Sequence, residues 1–186
     1  MKNFAPFGYI AGIMELRYAT IDDAKNLCHF ASQTFYDTYA FYNSEQDMAA
    51  YMSEYLTLTK TEEDINNPHT TFLLALDNEA LCGYVKLVWR NRPDALATHE
   101  KQLEIARFYT DKLFIGKGVG SQIMEACIDF AIKGSANIIW LDVWQENKRA
   151  IQFYTKWGFE KVSDWTFVLG KDKQEDFIMV KKSADS

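Results

Sequence analysis

Cysteine, histidine and proline each occur only three times in the 186-residue chain. Cys28, Cys82 and Cys127 stand far apart with no CxxC pair. That excludes a disulfide framework and a zinc site of ordinary ligand spacing, and each reads as a small buried hydrophobe. His29, His69 and His99 are as scattered, none at metal-ligand spacing to another ligand, so no metal is expected. No stretch approaches the roughly 18 uninterrupted apolar residues of a membrane span. The opening MKNFAPFGYIAGIMELRY has a short apolar run, one early lysine and no small-residue cleavage pattern, so it does not read as a signal peptide. Residues 1–13 read as a loosely attached leader ahead of one domain over 14–186, and the protein as cytoplasmic. Positive charge is scarce too: 20 Lys and Arg against 26 Asp and Glu leave a net charge of −6. Nucleic acid is therefore an unexpected partner, because phosphate binding wants a basic face. An acidic surface would steer a cationic substrate, although the same balance also serves plain solubility.

Hydrophobic residues, at 48%, are enough for one full core, and aromatic content is high at 15%. Residues 15–19 look like a short strand. Thr20-Ile-Asp-Asp then starts a helix through about Phe35, with Ala24, Leu27, Cys28 and Ala31 on one face. Ser44 opens a second helix to about Leu56, and between the two lies an aromatic connector, TFYDTYAFYN. Residues 70–77 and 80–89 read as strands joined by an Asp77-Asn78-Glu79 hairpin. A polar stretch leads to a strand over 103–110 and a helix from about Gly118 to Gly134. Residues 138–144, IIWLDVW, form a continuous apolar strand suited to burial on both faces. Asn147 caps another helix, stopped by Gly158, and strands over 159–168 and 175–181 flank a turn at Gly170-Lys171-Asp172. The order β-α-α-β-β-β-α-β-α-β-β predicts an α/β domain. Its mixed sheet of about seven strands carries helices on both faces, with a crossover helix joining strands 103–110 and 138–144.

The most informative segment is Phe114-Ile-Gly-Lys-Gly-Val-Gly-Ser121 between a strand and a helix. Alternating glycines let the backbone turn tightly and approach a ligand. They leave N–H groups outward at a helix N-terminus, which is a pyrophosphate cradle. A phosphate-binding P-loop fails here, because Lys117 is followed by Gly118 and Asp111 stands where its first glycine belongs. A dinucleotide fingerprint fails as well, because Ser121 holds the third glycine position and the motif follows the fourth strand. A plain strand-to-helix turn is the remaining alternative.

The segment resembles motif A of the GCN5-related N-acetyltransferase (GNAT) superfamily, with Gly118-Val119-Gly120 on the pattern and Ile115 in place of its Arg or Gln. Asn147-x-x-Ala150-x-x-Phe153-Tyr154-x-x-x-Gly158-Phe159 resembles motif B. WLDVWQENKRAIQFYTKWGF, LEIARFY and TFYDTY are further similar to the PaiA-type bacterial spermidine/spermine N-acetyltransferases. The resemblance implies a GNAT domain that binds acetyl-CoA and catalyses direct attack of a primary amine, a polyamine such as spermidine or spermine in that branch. It also permits a homodimer. Another amine, an amino acid, a protein N-terminus or a non-catalytic acetyl-CoA module stay open as alternatives.

For an amine of pKa near 10, only about one molecule in a thousand is unprotonated at pH 7, which costs roughly 4 kcal/mol. A positioned base offsets part of that. Glu104 is the candidate base, or else a solvent-facing strand residue. Tyr154 matches the general acid that protonates the leaving thiolate, or else packs with Ala150, Phe153 and Trp157. The resemblance implies cofactor contacts from Phe108, Tyr109 and Thr110 along the strand, and from Ile115, Gly116, Lys117, Gly118, Val119, Gly120 and Ser121 in the loop. Asn147 either bonds the cofactor's amides or caps its helix; Lys117 and Lys148 approach phosphates or stay in solvent. Phe35, Tyr36, Asp37 and Tyr39 of the connector are the candidate amine site, an acidic and aromatic wall for a cation, or else Asp37 caps or ends a helix. Trp140 and Trp144, which alternate with Asp142 on the strand, read as core.

Overall fold

The computed structural model describes residues 14–91, 100–169 and 172–183; the expected leader over 1–13, His99 and the Gly170-Lys171 turn lie outside them. Strand β1 (Met14–Tyr18) is followed by one turn of 3-10 helix, α1 (Ala24–Tyr39), α2 (Glu45–Tyr55), α3 (Leu58–Asn66), β2 (Thr70–Asp77) and β3 (Ala80–Trp89). Then come β4 (Gln102–Thr110), α4 (Val119–Lys133), β5 (Ile138–Trp144), α5 (Lys148–Lys156), β6 (Glu160–Leu169) and β7 (Asp172–Lys182). The seven strands form one sheet in the order β1-β2-β3-β4-β5-β7-β6. All neighbours are antiparallel except β4 and β5, which α4 joins as a crossover. The mixed sheet expected from the element order is therefore present.

Local chemistry accounts for most boundaries. The Asp23 carboxylate accepts from the Thr20 amide at 2.8 Å and from both Arg17 nitrogens, closing the capping box expected there. Those partners, Arg17 first, hold its carboxyl down at about 2. Ser44 Oγ accepts from the Asp47 amide at the head of α2. Asn78 and Glu79 take φ of 47° and 67°, as a two-residue hairpin of the right twist requires.

Two expectations fail. α1 runs on to Tyr39, so TFYDTY is helix, not connector; Thr34 and Thr38 return their hydroxyls to carbonyls one turn back and fit the helix without breaking it. α3 is an unanticipated helix. Its buried residues are polar, Thr61 and Asp64, and Asp64 is stabilised by Lys86 across on β3 at 2.5 Å. A helix held by a cross-element ion pair shows no apolar stripe to read.

The sheet divides two cores. On one face Val119, Ile123, Cys127 and Phe130 of α4, with Ile151 and Tyr154 of α5, pack on Leu103, Ile139 and Leu141. On the other, Leu27, Ala31 and Phe35 of α1 and Met48 of α2 pack on Leu74 and Tyr84. No described helix is long and apolar enough to cross a membrane.

Candidate active site

β4 and β5 pair only at Gln102↔Ile138, Leu103↔Ile139 and Glu104↔Trp140; beyond Glu104 the parallel strands part. The β3–β4 register shifts at the same place, Lys86 facing Arg107 but Leu87 facing Ile105. The extra residue, Ala106, is a bulge, and a bulge bends its strand and resets the alternation of side chains. Leu103 and Ile105 face the α4 core, whereas beyond the bulge it is Phe108 that faces it and Tyr109 that joins the α1 core.

A cavity of about 580 Å3 occupies the gap. It is lined by Ile105–Thr110 of β4, the glycine loop, Asp142–Trp144 of β5, α5, and the ends of α1 and β7. The Asp111 amide donates to the Cys82 carbonyl on β3. By alternation Tyr109 also turns its backbone to β3, and Phe108 and Thr110 turn theirs into the gap. These unpaired groups can accept an extended amide chain as an added strand.

The loop is held by Asp111, whose Oδ1 accepts from the Leu113 amide at 2.7 Å. Gly116 and Gly118 take φ of 79° and 89°, a region costly for any residue with a Cβ. Gly118 in that conformation turns the chain into α4. Among the described residues the amides of Gly116, Gly118, Val119, Gly120 and Ser121 have no acceptor within the protein. They point from a helix N-terminus, where the dipole favours an anion. Lys117 departs from the expected set: its amide donates to the Phe114 carbonyl at 3.1 Å and its ammonium lies over the Phe114 ring. Ile115 is partly exposed on the cavity wall. Lys148 turns to the Gln145 carbonyl and Glu146 and is not on the cavity wall, where α5 presents Arg149 and Lys156.

Asn147 caps α5, its Oδ1 accepting from the Ala150 amide at 3.1 Å, and also lines the cavity. Tyr154 is buried with its ring against Phe108, Phe153 and Phe159. Burial pushes its hydroxyl well above the usual phenol range, with Tyr39 next and Cys127 and Asp142 further contributors. None of the described residues hydrogen-bonds that hydroxyl. A phenol that stays protonated on a cavity wall can act as an acid.

Glu104 does not lie on the cavity wall. It is 2% exposed and held by Arg90, whose Nη2 donates to Oε1 and whose Nε meets Oε2, each at 2.5 Å. Burial raises its pKa, opposed by that bond. Tyr109 lines the cavity, while its ring stacks on Tyr84, away from the loop, and its hydroxyl bonds that of Tyr39. Of the four expected acceptor residues, α1 brings two to the cavity. Phe35 and Tyr39, one turn apart, face inward and meet at 4.7 Å between ring centroids. Tyr36 is exposed, and Asp37 accepts from Gln33 and pairs with Lys112 at 3.5 Å. A helix places adjacent residues about 100° apart, so four neighbours cannot share one face.

The rest of this wall comes from residues not expected there: Tyr51, Arg107, Asp142, Trp144, Gln174 and Asp176. Asp142 and Trp144 alternate along β5 toward the cavity, and only Trp140 is core, its Nε1 donating to the Arg90 carbonyl. Asp176 is 6% exposed and its Oδ1 has no partner among the described residues. Burial first, then the charges of Asp142 and Glu175, push it up to about 7. The clue in the sequence was the alternation Trp140-x-Asp142-x-Trp144; nothing in the sequence marked Asp176.

A family model described as "Acetyltransferase (GNAT) family" matches residues 32–159. An uncharacterized N-acetyltransferase of the pepI 3' region in Lactobacillus delbrueckii subsp. lactis is 32% identical over 160 residues, 86% of this chain and 91% of that protein. The fold is similar to that of the PaiA N-acetyltransferase from Thermoplasma acidophilum, solved with coenzyme A. That match has a TM-score of 0.73 and 24% identity over 91% of this chain and 98% of the other. Arabidopsis thaliana NAA60, solved with acetyl-CoA, superposes with a TM-score of 0.69 at 13% identity, covering 91% of this chain and 98% of that one.

Proposed function

The chain belongs to the GNAT acetyltransferase family, and we propose that it transfers acetyl from acetyl-CoA to a primary amine bound at the aspartate and tyrosine end of the cavity. The single observation that carries this is the parting of β4 and β5 beside a loop of unpaired amides. The loop amides suit a diphosphate and the Phe108–Thr110 backbone suits a pantetheine arm. The thioester then lies in the gap, with donors from β4 for its oxygen. Tyr154 stands on that wall as the proton donor to the departing sulfur. Beyond the gap, Asp142 and Asp176 with Tyr39, Tyr51 and Trp144 offer charge and aromatic faces to an ammonium.

The finer proposal is a polycationic acceptor such as spermidine or spermine. Two carboxylates on one wall and a net charge of −6 support it. One observation favours a second reading. Arg107 lines the same end, donates to the Tyr55 carbonyl at 3.0 Å, and meets no carboxylate in an ion pair among the described residues. It would suit the carboxylate of an amino acid or peptide acceptor. A thiol-release assay with acetyl-CoA against spermidine, spermine, free amino acids and short peptides decides among them. Release with polyamines supports the first reading, and release with amino acids or peptides alone supports the second. Coenzyme A bound with no release for any amine removes the transferase function.

A further inference from the structure

We propose that Asp176 of β7, with Asp142 beside it on β5, is the proton acceptor that readies the amine for attack. The inference rests on the acetyltransferase reading and deepens it.

Three geometric facts carry it. Trp144 pairs with Asp176 and Asp142 with Ile178 across β5 and β7, so the two aspartates are diagonal neighbours on one face. Side chains so placed lie about 7–8 Å apart at the backbone and closer at their tips. Both line the cavity on the acceptor side. Asp176 is 6% exposed and its Oδ1 is buried with no partner among the described residues. A buried carboxylate oxygen without a donor is costly, and an ammonium entering the cavity supplies that donor. Glu104 Oε2 also lacks a hydrogen-bond partner among the described residues, but its carboxylate is ion-paired with Arg90 and it does not line the cavity.

The surroundings suit the task. The charges weighing on Asp176 are Asp142 and Glu175, both negative. From α1, Tyr39 lies within reach of both aspartates, and from α2 and α5 Tyr51 and Tyr154 lie within reach of Asp142, as does Glu104 from β4. Arg107 of β4 sits among Tyr51, Tyr84 and Tyr109 on the same side. On β6, Trp165 pairs with Asp176. Burial and like charge place Asp176 at about 7. A base near 7 takes a proton from an ammonium near 10 against a gap of about three units, where an ordinary aspartate faces about six.

The step balances as follows. An N–H bond of the ammonium breaks and an O–H bond forms on Asp176. The freed nitrogen pair attacks the thioester carbonyl, a C–N bond forms and the C–S bond breaks. The nitrogen sheds a second proton as the sulfur gains one from Tyr154, which takes it back from the nitrogen through the cavity. Ammonium and acetyl-CoA become amide and thiol, and Asp176 releases the proton it took to solvent.

The test is the pH profile of kcat/KM for wild type, Asp176→Asn and Asp176→Glu, with acetyl-CoA affinity measured by calorimetry on each. Asp176→Asn is expected to lose about 100-fold or more at pH 7 and the rising limb near 7. Its residual rate should climb toward the amine's own pKa, with coenzyme affinity within twofold of wild type. Asp176→Glu should restore part of the rate and a rising limb. An Asp176→Asn enzyme that binds the coenzyme and keeps both rate and limb overturns the proposal. So does loss of the limb in Glu104→Gln while Asp176→Asn keeps it. Wild type that binds acetyl-CoA but releases no thiol with any amine defeats the transferase reading itself and takes this inference with it.

Discussion

Glu104 faces Trp140 at the last rung where β4 and β5 pair. Two residues further, the bulge at Ala106 turns the strand aside. The carboxylate at this fork points away from the α4 core and is closed off by Arg90. It therefore acts as a structural clasp at the root of the gap, and the acceptor chemistry lies further out, on β5 and β7.

The clasp has a measurable pH dependence. Glu104 has a raised pKa in the folded protein, chiefly through burial. Its proton-linked stability is thus fully present below the unfolded value, about 4.3, and is lost as pH rises. Arg90→Ala removes the group that opposes this. The variant is expected to lose roughly 1–3 kcal/mol near pH 8 and clearly less near pH 4.5, where Glu104 can take a proton. Urea midpoints at the two pH values check it; equal losses would show that Arg90 does not support the carboxylate.

Asp176 carries the same sign. Its folded value of about 7 exceeds the ordinary 3.8, so the protonated form stabilises the fold below about pH 4 and that contribution fades as pH rises toward 7. Asp176→Asn cannot ionise. Its melting temperature should exceed that of wild type at pH 8 and approach it at pH 4.5. A difference that does not vary with pH would contradict the raised value.

Tyr154→Phe keeps the ring that packs on Phe108, Phe153 and Phe159 and removes only the hydroxyl that would carry the proton. kcat is expected to fall about 10–100-fold, with acetyl-CoA affinity and melting temperature nearly unchanged. A kcat within twofold of wild type would remove Tyr154 from acid catalysis.

Gly118→Ala places a Cβ at φ of 89°, where nothing nearby obstructs it. The cost is therefore backbone strain, about 1–2 kcal/mol, and the loop can relieve it only by turning its amides. Thermal melting should drop by a few degrees and the calorimetric Kd for acetyl-CoA should rise several-fold. A normal Kd would show that the loop amides do not hold the coenzyme.

Helix α1 separates neighbours in sequence by function. Tyr39→Ala removes a cavity wall and the bond to Tyr109, and should raise KM for the amine about tenfold while leaving that for acetyl-CoA in place. Tyr36→Ala, on the exposed side, should leave both within twofold. Steady-state kinetics on the pair tests whether the acceptor end lies where α1 and β5 meet.

The strand order, every helix but α3, the glycine loop and the caps at Ser44 and Asn147 were determined by sequence alone, because they depend on neighbours a few residues apart. A positive φ calls for glycine, a helix start calls for a short polar side chain, and apolar spacing names the face to be buried. The polar helix α3 escaped because its support, Lys86, comes from another strand. Two decisions belonged to the tertiary structure. One is where β4 leaves β5, which turns Tyr109 away from the loop and leaves Glu104 in the grip of Arg90. The other is the β5–β7 register, which brings Asp176 to Asp142 across 34 residues of chain (176 minus 142). Burial and like charge act on such a pair only once distant strands are side by side, so its raised proton affinity exists in the fold and nowhere in the linear chain.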